Sequence, residues 1–179
     1  MGEGFELPES HHGGEDDPLV FSVSITISIM AVVLAAVTLM GHRTHTEELL
    51  RQGQSSDKWS QYQAKSIRLH EAHGFSDMAR LGAPVNKEVG EELKTKYGKE
   101  VEHYESDKED VSKEAKDLEA DRDLAGRKAD RFDGGEGFLE IGLVICSITL
   151  LTKRKLFWFG GLLVGAVGIA IALTGFLLH

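Results

Sequence analysis

Apolar residues concentrate at the two ends of the chain, and charged residues fill its middle. The first apolar run, residues 18–41, contains no Asp, Glu, Lys or Arg. As a helix it would reach roughly 33 Å, enough for the ~30 Å hydrocarbon core of a bilayer. We predict a transmembrane helix here. A cleaved signal peptide is the alternative, but it would begin with basic residues, whereas the acidic flexible tail predicted over residues 1–17 has six acids and no Lys or Arg.

Two further apolar runs lie near the C-terminus. Residues 156–178 are uncharged and long enough to span a bilayer, and they begin with an aromatic cluster typical of the membrane interface, Phe157, Trp158 and Phe159. Residues 137–152 form a shorter run, which taken alone could also be a re-entrant or buried segment. Only three residues, Lys153, Arg154 and Lys155, separate the two runs, which favours a tight transmembrane hairpin. The sequence therefore predicts three spans.

Small residues recur at alternating steps of four and three in the first and last spans. Residues at this spacing share one helix face and let another backbone approach closely. Gly and Ala are also common in membrane helices in general, but two such stripes favour tight helix packing. The spacing leaves open whether that packing occurs within one chain or between chains. The first stripe is Ser24, Ser28, Ala31, Ala35 and Thr38, and the second is Gly161, Gly165, Gly168, Ala172 and Gly175.

Residues 42–133 are predicted to form a charged helical hairpin outside the membrane, with a turn near residues 82–84, "GAP". In its second half, the spacing of apolar residues fits the a and d positions of a coiled coil, and Lys108 and Arg122 interrupt that seam. We expect such a hairpin to depend on partner contacts. The glycine-containing stretch 132–137, "FDGGEG", is predicted to be a hinge before the second span. The seam positions are Val101, Tyr104, Val111, Ala115, Leu118, Ala125, Ala129 and Phe132.

Few residues are candidates for chemistry. Glu140 is an ionisable group near the start of the second span, and such groups are functional candidates by default, although with Glu136 it could simply mark the membrane surface. Ser22, Ser24, Thr26 and Ser28 form a polar stripe that could line a conduit or bond across helices. His42 with His45, and His70 with His73, have helical i, i+3 spacing, but the chain has no HExxH motif and one cysteine, Cys146.

Four stretches together resemble the domain of unknown function 4337 family of bacterial membrane proteins. They are "LMGHRTHTEELL", "SSDKWSQYQAKSIRLH", "EAKDLEADRD" and "RFDGGEGFLEIGLVICSITLLTKRKLFW". The resemblance covers most of the chain from about residue 20. It implies an inner-membrane protein with one N-terminal span, a charged helical middle and a C-terminal hairpin, and it implies no activity. The acidic tail departs from the basic start that the family tends to have.

These observations lead to one expected function and two alternatives. We expect a non-enzymatic, membrane-anchored scaffold or accessory subunit that self-associates or joins a larger membrane complex. The alternatives are a small channel or transport component using Glu140 and the Ser/Thr stripe, and a metal- or haem-binding subunit using His42 and His45. No cofactor is expected, and the net charge of −9 argues against nucleic acid. Because Lys and Arg in short loops favour the cytoplasm, the 153–155 loop and the N-terminus are expected inside, and the hairpin outside.

Overall fold

The computed structural model describes residues 17–82 and 87–178, and three α-helices account for nearly all of them. They are α1 (Pro18–Gly82), α2 (Lys87–Thr152) and α3 (Lys155–Leu177). The described ranges contain no β-strand, so the all-helical prediction is confirmed there. By length and composition, each helix contains a window that is apolar enough to cross a membrane. Residues 1–16 of the predicted tail and residues 83–84 of the predicted turn lie outside the described residues.

Local capping explains where the helices begin and end. Leu19 N–H donates to the Asp17 carboxylate at 3.0 Å, so Asp17 is the N-cap of α1, and Pro18 takes the first helical position, which tolerates proline. Immediately after the C-terminal end of α2, Lys153 has a φ of 52°. Its N–H donates to the Thr149 carbonyl at 2.8 Å, an arrangement that ends a helix. Only Lys153 and Arg154 then separate α2 from α3.

The predicted hinge at residues 132–137 is wrong, because α2 continues through it without interruption. Gly135 allows close packing there instead of bending the chain. A Cβ added to Gly135 would lie 2.7 Å from the Ala172 Cβ and 2.8 Å from the Gly168 carbonyl oxygen. Glycine at this position is therefore required by the proximity of α3, and its helical backbone is held by that contact.

The chain divides into two compact units. Unit 1 comprises Met1–Arg43 and Arg127–His179, and unit 2 comprises Thr44–Gly126. The core of unit 1 is formed by Met30, Leu139 and Cys146, one side chain from α1 and two from α2. Partly buried side chains surround this core, including Ile27, Val37, Leu143, Trp158 and Ile169. All three helices therefore contribute to one apolar cluster.

In unit 2, segments of α1 and α2 run antiparallel and are joined by ion pairs at seven-residue intervals. Arg51 pairs with Asp121 at 3.6 Å, Lys58 with Glu114, and Lys65 with Asp107. Seven residues are close to two helical turns, so the three pairs follow one edge of the contact. The Lys65 hydrogen bond is the main cause that holds the pKa of Asp107 below its usual range.

Apolar and aromatic side chains fill the contact along this series of ion pairs and beyond it. Val111, Ala115 and Ala72 are buried, and the Trp59 indole N–H donates to Glu119 at 2.8 Å. The two basic residues of the predicted seam each contact a nearby side chain. Lys108 lies over the Tyr62 ring at 5.2 Å, and Arg122 bonds to its neighbour Asp123 at 2.7 Å, which raises the pKa of the guanidinium.

Candidate functional site

The small-residue stripe of α3 lies against α2 inside unit 1. The buried residues of α3 are the five stripe members Gly161, Gly165, Gly168, Ala172 and Gly175. The helices approach so closely that a Cβ at Gly168 would lie 2.7 Å from the Gly135 carbonyl oxygen, and one at Gly161 would lie 2.8 Å from the Gly142 carbonyl oxygen. Since such distances are shorter than van der Waals contact, the α2–α3 interface accepts no side chain at these positions.

The α2 side of this interface was missed by the sequence reasoning. Its residues repeat the same alternating steps of four and three, and this spacing was the signal that could have identified them. Two of the five are glycines, and the mixture of residue sizes conceals the pattern. All five are buried: Gly135, Leu139, Gly142, Cys146 and Thr149. The Thr149 hydroxyl is buried, and no residue of the described ranges gives it a hydrogen bond.

The small-residue stripe of α1 has a different environment. Ser24, Ser28, Ala31 and Ala35 are exposed, and only Thr38 is half-buried. Thr38 donates to the Glu136 carboxylate of α2 at 2.8 Å. The Ser28 hydroxyl donates within its own helix, to the Ser24 carbonyl at 2.9 Å. The first four members thus form an outer face of unit 1, and the Ser28 hydroxyl on this face is already satisfied within its own helix.

Glu140 lies on the exposed side of α2, and within the described ranges it has no hydrogen bond or ion pair. Its neighbours along the exposed surface, Ile141 and Val144, are apolar. On the opposite side of the same helix segment, Gly135 contacts Gly168 and Gly142 contacts Gly161. Glu140 therefore occupies the part of α2 that packs near the middle of α3, about one helical turn beyond Glu136.

The three basic residues at the α2–α3 connection, the last of which is the first residue of α3, form a compact cationic loop (residues 153–155). All three are exposed. Lys153 Nζ lies 3.7 Å from the carboxylate of Asp17, so the start of α1 and this loop meet at one end of unit 1. Beside the loop, the Trp158 indole N–H donates to the Thr26 hydroxyl at 3.2 Å and ties α3 to α1.

The histidine pairs do not form a metal-binding arrangement. His45 lies 3.5 Å from Glu48, and His42, His70 and His73 are exposed. Among residues 17–82 and 87–178, no group of three or more His, Cys, Asp or Glu side chains is placed to hold a metal ion. The arrangement offers packing surfaces and isolated charges.

The fold and these surfaces define a class: a helical protein with three helices long and apolar enough to cross a membrane. A family model described as "Domain of unknown function (DUF4337)" matches residues 21–178, and the chain belongs to that family. The family resemblance seen in the sequence is thereby confirmed. Neither the curated proteins nor the solved structures provide a match.

Proposed function

We propose that this chain is a three-span protein of the bacterial inner membrane that works as a non-enzymatic scaffold or accessory subunit. The outward surface of unit 1 supports the membrane location, because its apolar side chains are strongly exposed, among them Val32 (71%), Leu151 (87%) and Leu163 (68%). Patches of this kind are rare on monomeric soluble proteins. The Asp17–Lys153 pair agrees with the N-terminus and the cationic loop sharing one side, which we assign to the cytoplasm, with the hairpin outside.

The exposed α1 stripe is the observation that carries the scaffold proposal. The α3 stripe is covered by α2 and by Met30 of α1, whereas Ser24, Ser28, Ala31 and Ala35 are exposed and no helix among the described residues covers them. Between helices in lipid there is little hydrophobic driving force, so association depends on close packing at small residues. We infer that this face receives the same face of a second copy, which is the self-complementary contact of a two-fold dimer.

Unit 2 offers a second surface for partners. Three large apolar side chains of α1, Ile67 (61%), Met78 (68%) and Leu81 (82%), are exposed although this unit is rich in charge. Ile67 and Met78 are eleven residues apart, three helical turns, so they lie on one face. This face supports a role in joining a larger membrane complex.

Two matched pairs of Ala→Leu substitutions test the dimer. Replacing both Ala31 and Ala35 with Leu should convert the purified protein from dimer to monomer in lipid nanodiscs, as measured by native mass spectrometry. The control replaces Ala166 and Ala170 with Leu; these two alanines are exposed on α3 and have the same i, i+4 spacing. The control should leave the dimer intact, and native complexes purified in parallel would identify any other subunit. A dimer that survives the α1 change, or a protein that is monomeric from the start, would contradict the proposal.

A transport role is the second candidate, and the position of Glu140 favours it. Glu140 lies seven residues from Asp133 and thirteen from Lys153 along α2, or about 10 Å and about 20 Å at the helical rise. If both charged residues mark the membrane edges, Glu140 lies well inside the hydrocarbon layer, where an ionisable group usually has a functional role. Glu140→Gln should then reduce proton or cation flux into vesicles while the dimer persists. Equal flux from both proteins would exclude this role.

A further inference from the structure

The short connection between α2 and α3 holds the three charged residues of the cationic loop close together. Lys153 is fixed in the left-handed backbone region by the hydrogen bond from its N–H to the Thr149 carbonyl, and α3 already begins at Lys155. A two-residue connection between two packed helices has little freedom. The side chains of Arg154 and Lys155 have no ion pair or hydrogen bond within the described ranges. The fold therefore concentrates three cations at one exposed point.

Among residues 17–82 and 87–178, little negative charge lies near this loop. On α2 no charged residue lies between Glu140 and Lys153, and α3 has none after Lys155. On α1 the nearest charged residue at this end of unit 1 is Asp17, which pairs with Lys153 alone and at 3.7 Å. Two of the three cations are left without a protein anion among the described residues. Such a cluster attracts an anion from its surroundings, and its place beside apolar helix ends decides which anion.

We propose that the cationic loop binds the phosphate of anionic phospholipid headgroups, and that Asp17 competes with the lipid for Lys153. This inference rests on the proposed membrane location. Leu156 and Phe159 are exposed next to the loop, so a lipid held by its phosphate would lay its acyl chains along apolar surface. Basic residues beside a transmembrane helix gain from anionic lipid in this way. A free phosphate ion would gain only the charge interaction.

Asp17 provides a test that leaves the basic residues untouched. Its carboxylate has two contacts, the capping bond from Leu19 N–H and the ion pair with Lys153. Asn caps helices as well as Asp does, so Asp17→Asn keeps the cap and removes the competing charge. The substitution should strengthen the preference for anionic lipid. A merely structural role of Asp17 would not produce this increase.

Quenching of Trp158 by brominated lipid measures the preference directly. The second tryptophan, Trp59, lies in unit 2 and is replaced by Phe in every protein used. Each purified full-length protein is reconstituted in brominated phosphatidylglycerol or brominated phosphatidylcholine mixed with the unbrominated lipid. The ratio of the two binding constants at Trp158 should be about fivefold in favour of phosphatidylglycerol, as expected for one effective basic contact.

The loop variant combines Lys153→Gly, Arg154→Gln and Lys155→Gln. Glycine suits the backbone of residue 153, because its φ is 52°. This variant should lower the ratio to near one, whereas a control with Lys94, Lys96 and Lys99 of unit 2 changed to Gln should keep it. A loop variant that retains the preference, or an Asp17→Asn protein without an increase, would overturn the inference.

The remaining outcomes separate the lipid from other sources and from the proposed function. If inorganic phosphate removes the preference and chloride at the same ionic strength does not, the loop binds free phosphate and the lipid assignment is wrong. If both brominated lipids quench Trp158 equally, the headgroup inference fails and the membrane span stands. If neither lipid quenches it, the membrane location itself fails.

Discussion

The glycine interface between α2 and α3 gives the sharpest mutational prediction. In Gly168→Ala, the new methyl group would lie 2.7 Å from the Gly135 carbonyl oxygen and 2.9 Å from the Leu139 nitrogen. Both atoms are backbone, so neither can move aside as a flexible side chain would. The helices must separate, and overpacking of this kind typically costs about 1–3 kcal/mol. The control is Gly160→Ala on the same helix, where the nearest atom to the new methyl is a side-chain carbon of Ile145 at 3.9 Å.

Both substitutions gain helix propensity, about 1 kcal/mol for Gly to Ala, so this gain cancels when the two variants are compared. We expect Gly168→Ala to be less stable than Gly160→Ala by about 1–3 kcal/mol. The assay is equilibrium unfolding of the purified protein by SDS titration in mild-detergent micelles, followed through Trp158 fluorescence with Trp59 changed to Phe. Trp158 is a suitable reporter because its indole N–H bonds to Thr26 of α1.

A second pair repeats the comparison on α2. A Cβ at Gly135 would lie 2.7 Å from the Ala172 Cβ, whereas one at Gly137 would have no atom within 4 Å. Gly135→Ala should therefore destabilise the protein relative to Gly137→Ala by a similar amount. If each tight variant unfolds at the same SDS fraction as its open control, the reasoning about the interface is refuted.

Three further predictions concern other contacts. Lys58→Glu should destabilise the folded hairpin in thermal unfolding by about 0.2–1 kcal/mol, and adding Glu114→Lys should restore the stability. An unchanged unfolding transition in Lys58→Glu would contradict this contribution. The hydrogen bond from Lys65 lowers the folded-state pKa of Asp107. The stability that the ionised Asp107 contributes is therefore present above about pH 4 and is lost as the pH falls further. Asp107→Asn should flatten that acid limb of the thermal unfolding profile, and an unchanged profile would contradict the assignment. Thr149→Val should stabilise unit 1 by about 1 kcal/mol in the SDS assay, because the buried Thr149 hydroxyl has no hydrogen-bond partner among the described residues. A loss of stability would contradict this, since it would show that the hydroxyl makes a stabilising hydrogen bond.

The sequence predicted much of α3 because one helix face can be read from spacing alone. The spacing in the sequence alone identified the five members of the α3 stripe as a packing face. In the structure these five residues are buried against neighbouring helices. The same reasoning could not distinguish the α1 stripe from the α3 stripe, because which face meets a neighbour depends on how three helices pack. The sequence reasoning also failed at Gly135, where glycine was interpreted as flexibility although the close approach of α3 requires it.

The ion pairs of unit 2 show a related limit. Lys108 and Arg122 were expected to interrupt the predicted seam, but their contacts with the Tyr62 ring and with Asp123 were not visible in the sequence. The pairing of Lys58 with Glu114 depends on the register of two helix segments that are 56 positions apart in the chain. That register is set by packing over the whole antiparallel contact, and no local pattern specifies it.

Labelling of single cysteines from one side of the membrane tests the central claim most directly. In a Cys146→Ala background, one cysteine replaces Glu100 in unit 2 and another replaces Thr152, which lies beside the cationic loop and leaves its charges intact. A membrane-impermeant maleimide applied to intact spheroplasts should label position 100, and should label position 152 only after the membrane is opened. Labelling of both positions from the same side would contradict the three-span account.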